Sequence, residues 1–228
     1  MQVTDIWRYP VKSVPGLRVA SAEIGAYGIV GDRRYALRDC ATGLVLTARR
    51  EPRLLTVAAL PSDDADELST WLGRAVELIE ATDDMRGTYE NPLDPFGETG
   101  WVQWQGPRGS FHDSGRTQVS LASVATIGAW DTRRFRINLL TDGGGEDGLV
   151  GHRVRIGLAE LDVVKLIDRC VMVTRPQFGG IERDLDVLRT IHRERDGNLG
   201  IALVVRAPGR VAVGDAVEIL GPVPDPAT

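Results

Sequence analysis

Cys170 is the residue whose side chain could carry the most demanding chemistry in this sequence. It ends an apolar, strand-like run and directly follows Asp168 and Arg169. A cysteine thiolate is a suitable ligand for a soft or highly charged metal centre, and a neighbouring arginine favours the thiolate over the thiol. The alternative is a buried and inert cysteine, because free cysteines are among the most buried residues of proteins. Taken alone, Cys170 favours that alternative.

Three short runs concentrate arginines and indicate an anion site. Residues 133–136 (Arg-Arg-Phe-Arg) carry three guanidinium groups, and strand geometry would place Arg134 and Arg136 on one face. Further arginines stand within 32–35 and 49–53. Guanidinium groups bind phosphate through paired hydrogen bonds. The net charge is -5 at pH 7, so an overall basic composition does not explain the runs. A solvated charged surface is the alternative to an anion pocket.

Lys12 and Ser13 place an ammonium group and a hydroxyl on a loop that Pro10 fixes. The same pair ends the phosphate loop of nucleotide hydrolases, but the glycine-rich stretch that must precede it is missing, which excludes that site. The cysteines and histidines lack the spacing of a zinc site, so no role follows for His112, His152 and His192.

Length and composition are those of an ordinary globular protein. The 228 residues allow one large domain or two small ones, and 43% hydrophobic with 26% charged residues are typical of soluble proteins. The negative net charge argues against nucleic acid and anionic membranes as partners. Without a secretory signal or an apolar run of roughly 18 residues, we expect a cytoplasmic protein. In that reducing compartment we expect no disulfide between Cys40 and Cys170.

The first 82 residues are typical of a small β-rich domain. The candidate elements are strands at 3–9, 18–24, 35–39, 44–49 and 76–80 and a helix at 63–74 with Ser62 or Asp63 as N-cap. The turn residues at 40–43 predict that 35–39 and 44–49 form a hairpin. Residues 83–109 are rich in Gly, Pro and Asp and predict a loop. Such a loop is too long for an ordinary connector and suggests a lid or a partner surface.

Residues 110–222 predict a second β-rich domain. Its candidate elements are a short helix within 119–130 capped by Ser120 or Ser123, a long strand or hairpin at 154–170, a helix at 184–195 with Gly197 near its end, a strand at 199–206, and a strand pair or bulged strand at 211–220 broken at Gly214-Asp215. Many short strands and few helices predict a mainly β, barrel-like fold with peripheral helices, α+β overall.

The order of these motifs resembles the MOSC family, the domain found at the C-terminus of molybdenum cofactor sulfurases. The resemblance spans about residues 1 to 220. It is carried by 9–13 (Tyr-Pro-Val-Lys-Ser), 31–35 (Gly-Asp-Arg-Arg-Tyr), 47–49 with 52–54, 134–138 (Arg-Phe-Arg-Ile-Asn), 168–170 (Asp-Arg-Cys) with Thr174, 188–190, and Gly214-Asp215. The first three are similar to the β-barrel domain that precedes MOSC domains, and the others to the MOSC domain itself.

The resemblance implies a site for the molybdenum cofactor in its molybdopterin form. It implies that Cys170 is the metal ligand and the catalytic residue. It further implies that the cofactor phosphate is held by Lys12, Ser13 and Arg33 from the N-terminal side and by Arg134, Arg136 and Asn138 from the MOSC side, with loop contacts from Ser120 and Ser123.

Three functions remain open at this point. The first is an oxidoreductase that reduces small N-hydroxylated substrates with electrons from a separate redox protein, because the sequence has no flavin or iron–sulfur motif. The second is a cofactor carrier or sulfur-transfer module that uses a persulfide on Cys170. The third is a non-catalytic anion-binding domain in which Cys170 is merely buried. An exposed Cys170 with a low pKa, facing Arg134 and Arg136, would count against it, whereas a Cys170 packed among apolar side chains and remote from the arginines would favour it.

Overall fold

The computed structural model describes residues 1–94 and 99–223. Strands make up 43% and helices 17%, which confirms the mainly β, α+β class. The strands are β1 (Val3–Arg8), β2 (Leu17–Val19), β3 (Ser21–Gly25), β4 (Gly28–Ile29), β5 (Tyr35–Asp39), β6 (Val76–Glu80), β7 (Arg86–Asp94), β8 (Thr99–Arg108), β9 (Val119–Ser123), β10 (Leu139–Thr141), β11 (His152–Ile156), β12 (Ala159–Asp168), β13 (Asn198–Ala207), β14 (Gly209–Ala212) and β15 (Val217–Pro222). The α-helices are α1 (Arg53–Thr56), α2 (Ala65–Leu72), α3 (Val124–Ile127) and α4 (Asp186–Arg195).

An eight-stranded sheet in the order β15-β11-β12-β13-β9-β10-β1-β2 forms the centre of the molecule. Its strands carry the β-branched and leucine residues that suit a pleated, buried surface. Leu121 of β9 is fully buried and lies between Leu139 of β10 and Ile201 of β13. The pairing of β12 with β13 shifts register three times. Such bulges bend strands, and the sheet curls into a half-barrel.

The first 29 residues are built into the sheets of the C-terminal half. Strand β1 pairs with β10, and β3 pairs with β14 near the C-terminus. The predicted segments 1–82 and 110–222 therefore share hydrogen-bonded sheets. Because β1 and β3 find these partners far along the chain, we do not expect the N-terminal segment to fold alone.

The stretch 83–109, which we expected to be a loop, contains a β-hairpin, hereafter the arm (β7 and β8). Tyr89 pairs with Trp104, and Pro92 pairs with Trp101. The glycines that suggested a loop serve packing instead. A Cβ atom at Gly87 or Gly106 would lie 2.5 Å from the Tyr89 side chain, so both glycines make room for that ring.

Two described segments that we expected to have strand geometry, 44–49 and the arginine run at 133–136, form no regular strand. Residues 44–49 form no regular strand, but Val45 makes an antiparallel β-bridge to Arg38, and backbone hydrogen bonds join Asp39 to Leu44 and Leu46 to Leu37. The expected hairpin is therefore present in a short, irregular form, and the regular partner of β5 is β6. Residues 132–135 form a 3-10 turn, because the Asp131 carboxylate accepts a hydrogen bond from the Arg133 N–H at 2.9 Å. The expectation of strand geometry for Arg134 and Arg136 was wrong.

Helix boundaries followed the sequence closely. Helix α2 begins two residues later and ends two residues earlier than expected, because Asp64 is the N-cap, accepting hydrogen bonds from Asp66 and Glu67, and Gly73 is the C-cap. The hairpin of β11 and β12, helix α4 and the break between β14 and β15 agree with the sequence. In the described parts of the chain, every helix is too short or too polar to cross a membrane.

We predict that Ile6→Ala lowers the free energy of unfolding by about 2–5 kcal/mol, the usual cost of such a core cavity. Ile6 has no exposed surface and lies in the core of the large sheet. The control is Leu17→Ala on the neighbouring strand β2, where the side chain is 53% exposed and the expected change is within about 0.5 kcal/mol.

Urea unfolding followed by circular dichroism and by tryptophan fluorescence measures both variants. Since β1 belongs to the shared sheet, the two signals should shift together for Ile6→Ala. Two separate transitions, with only one displaced, would contradict the shared-sheet interpretation.

Candidate functional site

A cavity of about 420 Å³ opens where the N-terminal loops meet the end of β12 and the turn that follows it. Among the described residues that line it, seven are cationic and two are acidic, although the whole chain is acidic. The cations are Lys12, Arg33, Arg49, Arg134, Arg136, Lys165 and Arg169, and the acids are Asp113 and Asp168. Such a local concentration of positive charge attracts anions.

Tyr9 is the platform on which two of these arginines meet. The guanidinium carbons of Arg33 and Arg136 lie 4.9 and 4.5 Å from the centroid of its ring. The Tyr9 hydroxyl donates a hydrogen bond to the carbonyl of Ile137 at 3.1 Å. Burial raises the pKa of Tyr9 despite both arginines, so the ring stays neutral and offers its face to the cations.

Backbone strain is concentrated at this cavity. Among the described residues, four that are not glycine have positive φ, and three of them line the cavity: Ser13 at 69°, Arg33 at 48° and Arg136 at 52°. Side chains rarely adopt this conformation, and such residues cluster at functional sites. The left-handed turns aim these side chains in directions that a regular strand would not allow.

Arg136 is the least satisfied of the cations. One terminal nitrogen, Nη1, donates to the carbonyl of Val14 at 2.9 Å, whereas Nη2 is buried without a hydrogen-bond partner. Burial and then the nearby charge of Arg33 lower the pKa of Arg136 to about 10. A buried donor without an acceptor is costly, and a bound anion would supply that acceptor.

Arg33 differs, because Asp32 forms an ion pair with it. Burial alone would lower the pKa of Arg33, but Asp32 and Asp113 together raise it. The second oxygen of the Asp32 carboxylate accepts the N–H of Tyr9 at 2.6 Å. Arg33 is thus a permanent and well-anchored cation.

Lys12 is buried and donates to the carbonyl of Phe111 at 2.9 Å and to Asp113 at 2.8 Å. Burial lowers the pKa of Lys12, and Asp113 opposes that effect. Asp113 is exposed, and the charges of Lys12 and then Arg33 lower its pKa to about 2. The Asp113 carboxylate is therefore ionised at neutral pH and accepts the hydrogen bond from Lys12.

His112 lines the same cavity, and sequence spacing gave no reason to single it out. It is 4% exposed, and its Nε2 is buried without a hydrogen-bond partner, 3.9 Å from Asp32. Burial, and then the charge of Arg33, lower the pKa of His112 to about 4, against the influence of Asp32. The imidazole is therefore neutral at pH 7.

Three of the expected contact residues form the frame of the cavity. Arg134 donates to the carbonyls of Val173 and Glu182 at 3.2 and 2.6 Å. The Asn138 side chain accepts from both the N–H and the hydroxyl of Ser120 and donates to the carbonyl of Trp7. These bonds tie β9, β10 and β1 together behind the cationic surface.

Cys170 lies half-buried in the cavity, between β12 and the 3-10 turn Val171–Thr174. The guanidinium of the neighbouring Arg169 donates hydrogen bonds to two main-chain carbonyls, that of Leu199 at 2.6 Å and that of Phe135 at 2.9 Å. From the opposite wall, Ser13 accepts a hydrogen bond from the N–H of Ala48 at 2.9 Å. Cys40, in contrast, is exposed and does not line the cavity.

Ser123 is the one expected site residue that lies outside the cavity. Its hydroxyl caps α3 by accepting the Thr126 N–H at 3.0 Å, and its own N–H donates to Glu146 at 3.0 Å. The sequence correctly offered Ser123 as a helix cap. That local role accounts for the serine without a ligand.

Residues 1–78 match the MOSC N-terminal beta barrel domain, and residues 113–218 match the MOSC domain. The chain is 39% identical over 282 aligned positions to mitochondrial amidoxime-reducing component 1 of Mus musculus, with 96% of this chain and 82% of that protein covered. The chain belongs to the MOSC family. Eight of the nine site residues expected from the sequence line a single cavity of this MOSC protein.

Solved structures give more distant likenesses. The YuaD protein of Bacillus subtilis aligns over 96% of this chain and 94% of its own, with 13% identity and a TM-score of 0.46. YiiM from Geobacillus stearothermophilus aligns over 61% of this chain and 74% of its own, with 11% identity and a TM-score of 0.38.

Sequence reasoning missed several residues that line the MOSC cavity, among them His112, Asp113, Lys165 and Trp104. Arg49 belonged to a recognised arginine run but received no role. The others carry no local pattern, because their neighbours in space come from distant parts of the chain. His112, for example, meets Asp32 across eighty positions.

We predict that His112 makes this protein less stable in mild acid. Folding keeps its imidazole neutral down to a pH of about 4, whereas an unfolded histidine takes up a proton near pH 6.5. The unfolded chain therefore binds the extra proton within this window, and stability falls as the pH falls. The contribution is about 2 kcal/mol between pH 7 and pH 5.

Chemical unfolding of wild type and His112→Gln at pH 7 and pH 5 measures this effect. The variant should lose less stability on acidification than wild type does. His192→Gln, at an exposed position of α4, is the control and should keep the wild-type dependence. Equal pH dependence in all three proteins would contradict the burial of a neutral imidazole.

Proposed function

We propose that this protein binds a molybdenum cofactor in the cationic cavity and reduces N-hydroxylated substrates with electrons from a separate redox protein. The observation that carries the proposal is the meeting of the half-buried Cys170 with cations from both halves of the chain in one cavity. A second support is the relative, whose name describes an amidoxime-reducing component. An amidoxime is an N-hydroxylated amidine.

The residues fit such a cofactor by their chemistry. A phosphate needs cationic donors, and Arg136 holds a buried nitrogen without an acceptor beside Arg33. A molybdenum centre accepts a soft thiolate ligand. No group of three metal-ligating side chains of the His, Cys, Asp or Glu type occurs in the described residues, so Cys170 would share the metal with ligands from the cofactor itself.

We assign the binding residues in two groups. Lys12, Arg33 and Arg136 would contact the phosphate, with Ser13 contributing its hydroxyl. Arg134, Ser120 and Asn138 would support the wall, because their polar groups already bond to the protein. Cys170 would be the metal ligand and the catalytic residue. When bound, the cofactor supplies a metal that accepts electrons and passes them on to the substrate.

The reaction requires protons as well as electrons. Reduction of an N-hydroxyl group to N–H and water consumes two electrons and two protons. The sequence has no flavin or iron–sulfur motif, which supports an external electron donor. His112 is neutral and Asp113 is ionised at pH 7, so these two side chains would fix the polarity around the reacting group. A cytoplasmic location remains a prediction.

The placement of Cys170 argues against the non-catalytic anion-binding alternative. That alternative requires a cysteine packed among apolar side chains and remote from the arginines. Here Cys170 is half-buried and lines the same cavity as Arg134 and Arg136. The carrier alternative uses the same residues, so it differs from the reductase in turnover alone.

We predict that the protein purified from a host that makes the cofactor contains nearly one molybdenum per chain, measured by elemental mass spectrometry. Cys170→Ser should lose most of the metal, because a hydroxyl is a poor substitute for a thiolate. Cys40→Ser, which removes the exposed cysteine, should retain the wild-type content.

Turnover is then measured with an amidoxime and a chemical electron donor. Metal and turnover in wild type, both lost in Cys170→Ser, would support the reductase. Metal without turnover of any N-hydroxylated compound would favour the carrier. Well-folded protein without molybdenum in all samples would contradict the cofactor proposal.

A further inference from the structure

Trp104 is an aromatic side chain in a cavity that is otherwise dominated by charge. It lines the cavity from strand β8 of the arm, and its indole is half-buried. Phe135 is the other Phe, Tyr or Trp among the described lining residues, and its side chain is 97% buried. Exposed aromatic surface inside a cavity marks a place where a ligand can recover the free energy of burial.

The indole is held in one orientation by two neighbours. Tyr89 packs against it with a centroid distance of 5.1 Å and an angle of 31° between the rings. The Asn91 side-chain oxygen accepts the indole N–H at 2.8 Å, in the amide orientation that also lets its nitrogen donate to the carbonyl of Glu90. Trp104 therefore presents a fixed face, at little further cost in conformational entropy when a ligand binds.

The ring of Tyr89 is itself held in place by its surroundings. It is 1% exposed, the Lys12 ammonium lies 4.5 Å from its ring centroid, and Gly87 and Gly106 leave space for the ring alone. Lys12 also donates to Asp113. The orientation of Trp104 is thus linked through Tyr89 to the charged side of the cavity.

The arm itself is attached to the body next to the cavity. The Arg50 guanidinium lies 3.6 Å from the Trp101 ring centroid and 2.6 Å from Glu90. Arg50 directly follows Arg49, which lines the cavity. Trp101 does not line the cavity, so the two tryptophans of β8 have separate tasks: one attaches the arm and the other faces the cavity.

We propose that Trp104 is a specificity-determining residue, and that it selects substrates in which a planar, uncharged aromatic ring carries the N-hydroxylated group. This inference rests on the proposed reductase function. The ring of the substrate would stack on the indole, a contact that a small aliphatic substrate cannot make. An uncharged ring suits the cavity, because its cationic lining disfavours a further positive charge.

The experiment compares two substrates that carry the same reacting group, benzamidoxime and acetamidoxime. For molybdenum-loaded Trp104→Leu, kcat/KM for benzamidoxime should fall roughly 5- to 100-fold, the range expected for loss of one aromatic stacking contact. The change should lie mainly in KM. The value for acetamidoxime should change less than about threefold, since no ring is stacked.

Three controls separate specificity from structure. Trp71→Leu removes a half-buried tryptophan of helix α2, which lies outside the cavity and outside the arm, and should keep the wild-type ratio of the two substrates. Trp104→Phe keeps an aromatic face and should restore most of the preference for benzamidoxime. Molybdenum content should be the same in all variants, because none of the substitutions touches Cys170 or the cationic lining.

A binding measurement provides a readout that does not depend on turnover. Benzamide, a neutral and unreactive planar analogue, should quench the tryptophan fluorescence of the wild-type holoprotein, whereas acetamide should not. The quenching should persist in Trp71→Leu and weaken in Trp104→Leu.

The possible negative results distinguish failure of the Trp104 proposal from failure of the proposed reductase function. If wild type turns over amidoximes but shows no preference for binding benzamide over acetamide, the role of Trp104 is disproved and the reductase function stands. An unchanged substrate ratio in Trp104→Leu at full molybdenum content has the same consequence. If no amidoxime is reduced although benzamide quenches Trp104, the proposed function fails instead.

Discussion

Two guanidinium groups share the buried ring of Tyr9, and this crowding of like charge is the constraint on which the cavity depends. Arg33 has the carboxylate of Asp32, whereas Arg136 has a single main-chain carbonyl and a buried nitrogen without a partner. Like charges in a dry environment repel each other more strongly than in water. The arrangement is unfavourable unless something rigid holds it or an anion compensates it.

The fold supplies that rigidity through pairing that crosses the whole chain. Tyr9 follows β1, which hydrogen-bonds to β10, and Asn138 connects this strand pair to Ser120 of β9. The sheet therefore fixes the ring and both arginines from behind. Positive φ at Arg33 and Arg136 is tolerated for the same reason, since local strain persists where the surroundings determine the backbone.

Sequence patterns predicted the elements whose signals are local and missed those that depend on distant partners. Capping and periodicity located α4, and Ser123 was correctly offered as a cap. The composition of 83–109 predicts a loop where the structure has the arm, because the packing of Gly87 and Gly106 against Tyr89 cannot be recognised from composition. Likewise, the arginine run suggested anion binding, but the turn at 132–136 that sets its geometry depends on Asp131. His112 carried no signal, as its environment forms only on folding.

The body of the protein supplies the charged lining of the cavity, and the arm supplies its exposed aromatic surface. Among the described strands, β7 and β8 pair only with each other, and they bring an indole and an amide to the cavity but no charge. Arg50 and Glu90, which attach the arm, neutralise each other outside the lining. A substitution of Trp104 can therefore change which neutral ring is accommodated while the anion site stays intact. Substitutions among the cations would instead alter retention of any anion, because those side chains are coupled through Tyr9 and the shared sheet.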